Sequence, residues 1–298
     1  MRALAFARIF AVCLAMLATS DAAAQRMAPA NANDGMQAAR DQIMAETRGS
    51  VFPGPRPGET RAVWVWRPRN APNTPLPVLY IFDGLDSIKI ALLRLKPAID
   101  SGALPPILII APDPNPTSEG RGAEYLRGFP GGSDDFQIHE QWFITQVMPW
   151  AQRTQRASSD RTKIFLAGVS NGADLALALA NEHPDLFGGA LVHSPVGGSG
   201  DWVANTAASQ RWVITGGTAE ASGSIHRTAN VPRQIITALE HFNAPVRACI
   251  GHWAHTGPAW RDLSPGSLVW LMQLGDSSAY ATPVEQSSCR NTPEAAPN

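Results

Sequence analysis

Short, almost uninterrupted apolar runs recur along the chain, each closed by a turn signal. "LPVLYIFDG" (76–84), "PPILIIAPD" (105–113), "KIFLAG" (163–168), "GALVHS" (189–194), "RWVITGG" (211–217) and "VRACIG" (246–251) share this form. A strand wetted on one face alternates polar and apolar residues, so a run without alternation reads as a strand covered on both faces. Helical spacing fills the gaps between runs, at about Ser87–Ile99, through "FQIHEQWFITQVMPWAQRT" (136–154), at 171–182, near Pro232–Phe242 and around Pro258–Leu274. Strands alternating with helices predict an α/β fold, with a mostly parallel sheet carrying helices on both faces. "RAVWVWRP" (61–68) alternates and predicts one more strand.

The pattern places the main domain at 60–276. Residues 25–59, rich in Ala, Asn, Gly and Pro, read as a leader with one short helix around Met36–Thr47, and 277–298 as a loose polar tail. The first 24 residues have the layout of a secretory signal: Arg2 and Arg8, an apolar stretch, then Ala22-Ala23-Ala24 before the expected cleavage. That stretch is shorter than the roughly 20 residues of a spanning helix. Cys13 lies inside it without the small residues that lipid attachment requires. A periplasmic or secreted protein with no membrane span after cleavage is therefore expected. Two cysteines survive maturation, Cys249 and Cys289, either as one disulfide tying the tail to the body or as two unpaired thiols.

Only 16% of residues are charged, the formal net charge is −1, and no Lys/Arg cluster occurs. Nucleic acid is excluded as a partner on that basis. No Cys or His pair has metal-ligand spacing, so neither a metal nor another cofactor is expected.

"FLAGVSNGADL" (165–175) holds the pattern Gly168-x-Ser170-x-Gly172, which composition alone can supply. Its context is more specific. Ser170 falls between an expected buried strand and an expected helix, at the carboxyl end where such sheets collect ligands. A sharp strand-turn-helix demands small residues two before and two after the serine, and the helix start favours the negative charge of an attacked ester. Serine then needs a base and an acid, in the order Ser, acid, His.

Five of the seven histidines have plain readings: His139, His226 and His241 on helices or loops, His183 before Pro184, and His193 ending a strand. His252 and His255 share the loop "GHWAHTGPAWRDL" (251–263) after the last strand. For the acid, Glu220 in "GGTAEASG" follows the preceding strand, with Asp201 in reserve.

These residues resemble the esterase D and enterochelin-esterase-like branch of the α/β-hydrolases, related to the mycobacterial mycolyltransferases. The likeness runs from about Arg61 to Leu274 and rests on "RAVWVWRP", "LYIFDGLD", "ALPPILIIAPD" with "RGAEY", the helix ending "VMPW", "IFLAGVSNGADLALALANEHPDLFGGALVHSP", and His255 five residues before Trp260-Arg261. It implies an α/β-hydrolase fold, Ser170 as nucleophile and His255 as base, with Glu220 at the acid position. It also implies an oxyanion hole from the backbone N–H groups of Leu85 and Asn171. Arg121 in "RGAEY" resembles a family arginine near the site that would contact an anionic substrate; its plain alternative is an ion pair with Glu124. Two departures stand out: Ala173 replaces a frequent glycine, and Ala254 precedes His255 where Gly-Gly is usual.

The chain therefore reads as an exported serine esterase acting on a small-molecule ester. The resemblance favours a trilactone siderophore, with feruloyl, acetyl or other small carboxylic esters, or acyl transfer, as alternatives. A binding protein on a hydrolase scaffold is the reading from a different class, opposed by an intact Ser170, histidine and acid.

Overall fold

The computed structural model describes residues 30–131, 134–197, 203, 208–221 and 230–292. In chain order the strands are β1 (Arg48–Pro53), β2 (Thr60–Trp66), β3 (Val78–Ile81), β4 (Leu108–Pro112), β5 (Ile164–Val169), β6 (Gly189–His193), β7 (Arg211–Gly217), β8 (Val246–Gly251) and β9 (Cys289–Asn291). They form one sheet in the order β1-β2-β4-β3-β5-β6-β7-β8-β9. The six strands from β4 to β8 run parallel, while β2 pairs antiparallel with β4, β1 with β2, and β9 with β8.

The helices are α1 (Ala30–Glu46), α2 (Gly84–Asp100), α3 (Ser118–Tyr125), α4 (Asp135–Trp142), α5 (Met148–Gln155), α6 (Asn171–Glu182), α7 (Val231–His241), α8 (Gly257–Asp262), α9 (Pro265–Leu271) and α10 (Pro283–Ser288), with a π-helical turn at Phe143–Val147 joining α4 to α5. None of the described helices is long and apolar enough to cross a membrane.

Side chains alternate across the sheet, which explains the unbroken apolar runs. Val78, Tyr80, Ile164 and Leu166 join the core under α4 to α7, while Leu79, Ile81, Phe165 and Ala167 join the opposite core with α2 and α9. Each buried Leu, Ile or Phe removes enough apolar area from water to contribute roughly 1.5–3 kcal/mol. Both faces must be covered for those contributions to be realised.

The structure adds to or alters the sequence expectation in several places. The leader supplies β1, whose exposed edge position leaves no apolar alternation to detect, and α1 starts earlier than Met36. The segment around "RGAEY" is the helix α3, opened by Thr117, whose hydroxyl accepts from Gly120 N. The closing helix is two, α8 and α9, because Pro265 starts a new one.

The segment 277–298 is fastened as far as Thr292 rather than loose. Cys249 and Cys289 face each other in the β8–β9 register and form a disulfide. The Glu285 carboxylate, fully buried, accepts from Gly266 N at 3.0 Å, Ser267 N at 2.7 Å and Ser267 Oγ at 2.8 Å. A carboxylate at the start of α9 satisfies amides that have no partner inside the helix. Polar residues do this work, so a hydropathy reading finds only a polar tail.

Candidate active site

Ser170 sits between β5 and α6 with φ 55° and ψ −127°, a conformation that side-chain-bearing residues rarely adopt. Its N–H donates to His193 O at 2.9 Å and its carbonyl accepts from Ala173 N at 2.9 Å, so the strand ladder passes directly into the helix. A Cβ at Gly168 would fall on the Gly172 carbonyl, and one at Gly172 would lie 2.7 Å from Asp83 Oδ2. Gly168 is therefore a steric necessity of the turn, and a side chain at Gly172 would have to displace the Asp83 carboxylate. Strain of this kind, held by its surroundings, marks functional positions.

Next to β5 in the sheet is β3, and Phe82 N bonds Ala167 O at 3.0 Å, bringing the Asp83-Gly84 turn alongside the serine. Asp83 and Gly84 have φ of 74° and 65°, and a Cβ on Gly84 would strike the Asp113 carboxylate. Leu85 and Asn171, the residues expected to offer oxyanion amides, fall in the first turns of α2 and α6. First-turn N–H groups have no acceptor within their helix and lie at its positive end.

Arg121 pairs with Asp83, not with Glu124: Nε and Nη2 reach the two carboxylate oxygens at 2.5 and 2.8 Å. Glu124 pairs instead with Arg61 at 2.9 Å. Burial pushes the Glu124 carboxyl upward against the stabilising Asn115 amide and Arg61. Asp83 N–H also donates to Tyr125 Oη at 3.2 Å, so α3 holds the Asp83 turn at two points. Asp83 was not singled out from sequence, although "FDG" showed that a turn lay there.

Beyond β7 and β8 the chain brings Glu220 and His255 together. His255 Nδ1 lies 3.1 Å from Glu220 Oε2, and the Glu220 side chain is only 1% exposed. Glu220 Oε1 accepts from Gly217 N at 2.8 Å and from Ser194 Oγ at 2.8 Å. With Nδ1 engaged by the carboxylate, Nε2 is the His255 nitrogen free to exchange a proton. His252 is exposed, with Nδ1 3.1 Å from Thr218 Oγ1. The two histidines of this loop therefore have different surroundings, and His255 is the one beside a buried carboxylate.

The loop between them turns on Trp253. A Cβ on Gly251 would strike its ring, and one on Gly217 would stand 2.6 Å from it. Those glycines at the ends of β7 and β8 accommodate the indole, which accounts for Gly-His standing three residues before His255.

Among the other histidines, His139 and His193 are fully buried, and burial pulls each down to about 3. His183 is raised, chiefly by its 2.7 Å hydrogen bond to Glu140. Glu140, Glu182 and His183 cluster where α6 ends, but Glu182 is already paired with Arg127 at 2.5 Å. His226 and the reserve acid Asp201 lie outside the described residues, as does the 1–24 segment. Ser170, Glu220 and His255 thus follow the carboxyl ends of β5, β7 and β8, along one edge of the sheet.

This is the fold of the α/β-hydrolases. The sequence matches the esterase family described as "Putative esterase" over residues 54–241, and the chain belongs to that family of carboxylic ester hydrolases. No curated protein sequence matches the chain.

Among solved structures, a ferulic acid esterase is similar at 15% identity and TM-score 0.61, over 77% of this chain and 98% of that one. An S-formylglutathione hydrolase from Agrobacterium tumefaciens is similar at 15% identity and TM-score 0.56, over 77% of this chain and 96% of that one. The enterobactin esterase of Shigella flexneri, solved in the presence of 2,3-di-hydroxy-N-benzoyl-glycine, is 17% identical with TM-score 0.55, over 76% of this chain and 57% of that one. Likeness at these identities concerns the fold.

Proposed function

We propose that the protein is an exported serine esterase that cleaves its substrate through an acyl-enzyme. Ser170 Oγ attacks the ester carbonyl as His255 Nε2 takes its proton. Glu220 holds the ring and offsets the imidazolium charge. The amides of Leu85 and Asn171 receive the oxyanion. His255 then returns the proton to the departing alkoxide, and a water activated by the same nitrogen frees Ser170.

The observation that carries this reading is the His255–Glu220 contact at 3.1 Å, on the same sheet edge as the strained Ser170. Export is supported by the N-terminal sequence and by the Cys249–Cys289 disulfide, a bond that persists in oxidising compartments.

The substrate class favoured is a small carboxylic ester of the feruloyl or acetyl kind. Arg121, the cation offered for an anionic substrate, spends two donors and its charge on Asp83. The trilactone siderophore is the second reading, favoured by the likeness to the enterobactin esterase. Mature protein given a feruloyl ester, an acetylated sugar, and iron-free and iron-loaded trilactone siderophore, with products read by mass spectrometry, tests both. Turnover of the feruloyl or acetyl ester at least tenfold faster than the trilactone is expected. Faster trilactone cleavage would reverse the order.

A further inference from the structure

Glu220 is held from behind by two side chains with no part in the chemistry above. Ser194 follows β6 with φ 52°, is fully buried, and places Oγ 2.8 Å from Glu220 Oε1. Trp260, on α8 and 7% exposed, places Nε1 2.9 Å from the same Ser194 Oγ. An indole N–H can only donate, so Ser194 accepts from Trp260. Its single hydroxyl proton is then directed at Glu220, and the order Trp260 to Ser194 to Glu220 to His255 follows without any hydrogen being located. The Trp260 ring also meets the His255 ring edge-on, with centroids 4.9 Å apart and planes at 89°.

We propose that Ser194 and Trp260 are positioning residues that fix the Glu220 carboxylate, and through it the ring of His255. The proposal rests on the esterase reading above and deepens it. Hydrogen bonds in such a chain polarise one another, and a buried member left without its partner carries the cost of its desolvation. Removing the Ser194 hydroxyl would leave Glu220 Oε1 with Gly217 N as its remaining donor, and a buried indole N–H without an acceptor.

The backbone is arranged to keep Ser194 in its unusual conformation. Its N–H donates to Thr215 O at 3.0 Å, on the strand that leads to Glu220. Asp174, in the first turn of α6, accepts from Val196 N at 2.9 Å and Gly197 N at 3.2 Å. The helix that follows Ser170 therefore also anchors the loop that carries Ser194. Trp260 grips the other side twice, through its N–H on Ser194 and its ring on His255, which gives the interval of five residues between His255 and Trp260 a mechanical meaning.

The test is a double-mutant cycle on a p-nitrophenyl ester, with kcat, KM and melting temperature measured for each variant. Ser194→Ala and Trp260→Phe should each lower kcat about tenfold with KM within twofold, a cost on the order of one hydrogen bond to a charged group. Phenylalanine keeps an aromatic ring beside His255 and removes the donor together with part of the indole, which is why melting temperature is measured alongside kcat. The double variant should be no worse than about the larger single loss, and neither change should lower kcat further in a Glu220→Gln background.

Independent, multiplying losses, undiminished effects in Glu220→Gln, or a change confined to KM or melting temperature would overturn the proposal. Trp260→Phe serves alone if Ser194→Ala does not fold. Ser170→Ala is the control: if it retains wild-type activity, the esterase assignment itself fails, whereas its inactivity beside unchanged Ser194 and Trp260 variants refutes only the positioning role.

Discussion

Gly168 holds Ser170 by leaving no space for a Cβ, whereas Glu220, Ser194 and Trp260 hold His255 by hydrogen bonds and a ring edge. One half of the site is positioned by backbone sterics and the other by a buried polar chain. A steric device is nearly all or none, because a forbidden Cβ has nowhere to go. A hydrogen-bonded chain can be weakened link by link. The two halves should accordingly respond differently to substitution, and that difference can be measured.

The largest loss should come from the groups that exchange bonds and protons. Ser170→Ala and His255→Ala should each lower kcat by about 10³-fold or more, with the double variant little worse, since members of one catalytic unit are non-additive. His252→Ala, changing an exposed ring bonded to Thr218, should stay within about threefold on the same ester assay. Equal losses for the two histidines would mean that the Glu220 contact does not mark the base.

Glu220→Gln should come next, at about 10²-fold in kcat, because the amide keeps the shape but loses the charge that steadies the imidazolium. Wild-type activity in this variant would point to a serine–histidine pair working without Glu220.

The tail acts on stability rather than on chemistry. Cys289→Ser opens a closure between residues 40 apart and should lower unfolding free energy by about 2–4 kcal/mol in urea, with kcat within twofold. A large fall in kcat would tie β9 to the site.

The smallest effect should be on acid stability. His193, beside Ser194 and hydrogen-bonded to Thr215 and Ser264, is kept neutral by burial, with its value lowered from 6.5 to about 3. The unfolded chain binds this proton first, so stability is complete above about pH 6.5 and falls as pH drops toward 3. Between pH 7 and 5 the His193 contribution amounts to about 2 kcal/mol. His193→Gln should show a correspondingly shallower pH dependence of its urea midpoint; an unchanged slope would mean that His193 does not titrate this way.

What could be read from the sequence follows the same division. Strands buried on both faces announce themselves as unbroken apolar runs, and the elbow announces itself as two glycines two residues either side of Ser170. Chain order pointed to Glu220 and to the loop of His252 and His255, and the resemblance in spacing to Trp260-Arg261 pointed to His255. Nothing pointed to their supports: Ser194 in "VHSP" looks like any small residue after a strand, and its bond to Glu220 spans 26 residues. Asp83 escaped notice for the same reason, since its tie to Arg121 spans 38 residues. The edge strands β1 and β9 carry little apolar signal, because backbone pairing, a disulfide and the Glu285 clasp hold them in place of hydrophobic faces. Contacts made by polar side chains across long separations leave no periodicity to read.

Every role proposed for this site requires Ser170 to become covalently acylated. Incubating mature protein with a p-nitrophenyl organophosphonate and mapping the adduct by peptide mass spectrometry tests it directly. One adduct per chain, on the peptide containing Ser170, lost in Ser170→Ala and formed much more slowly in His255→Ala, is the expected result. An adduct on another residue, or labelling that persists at the wild-type rate in Ser170→Ala, would contradict it.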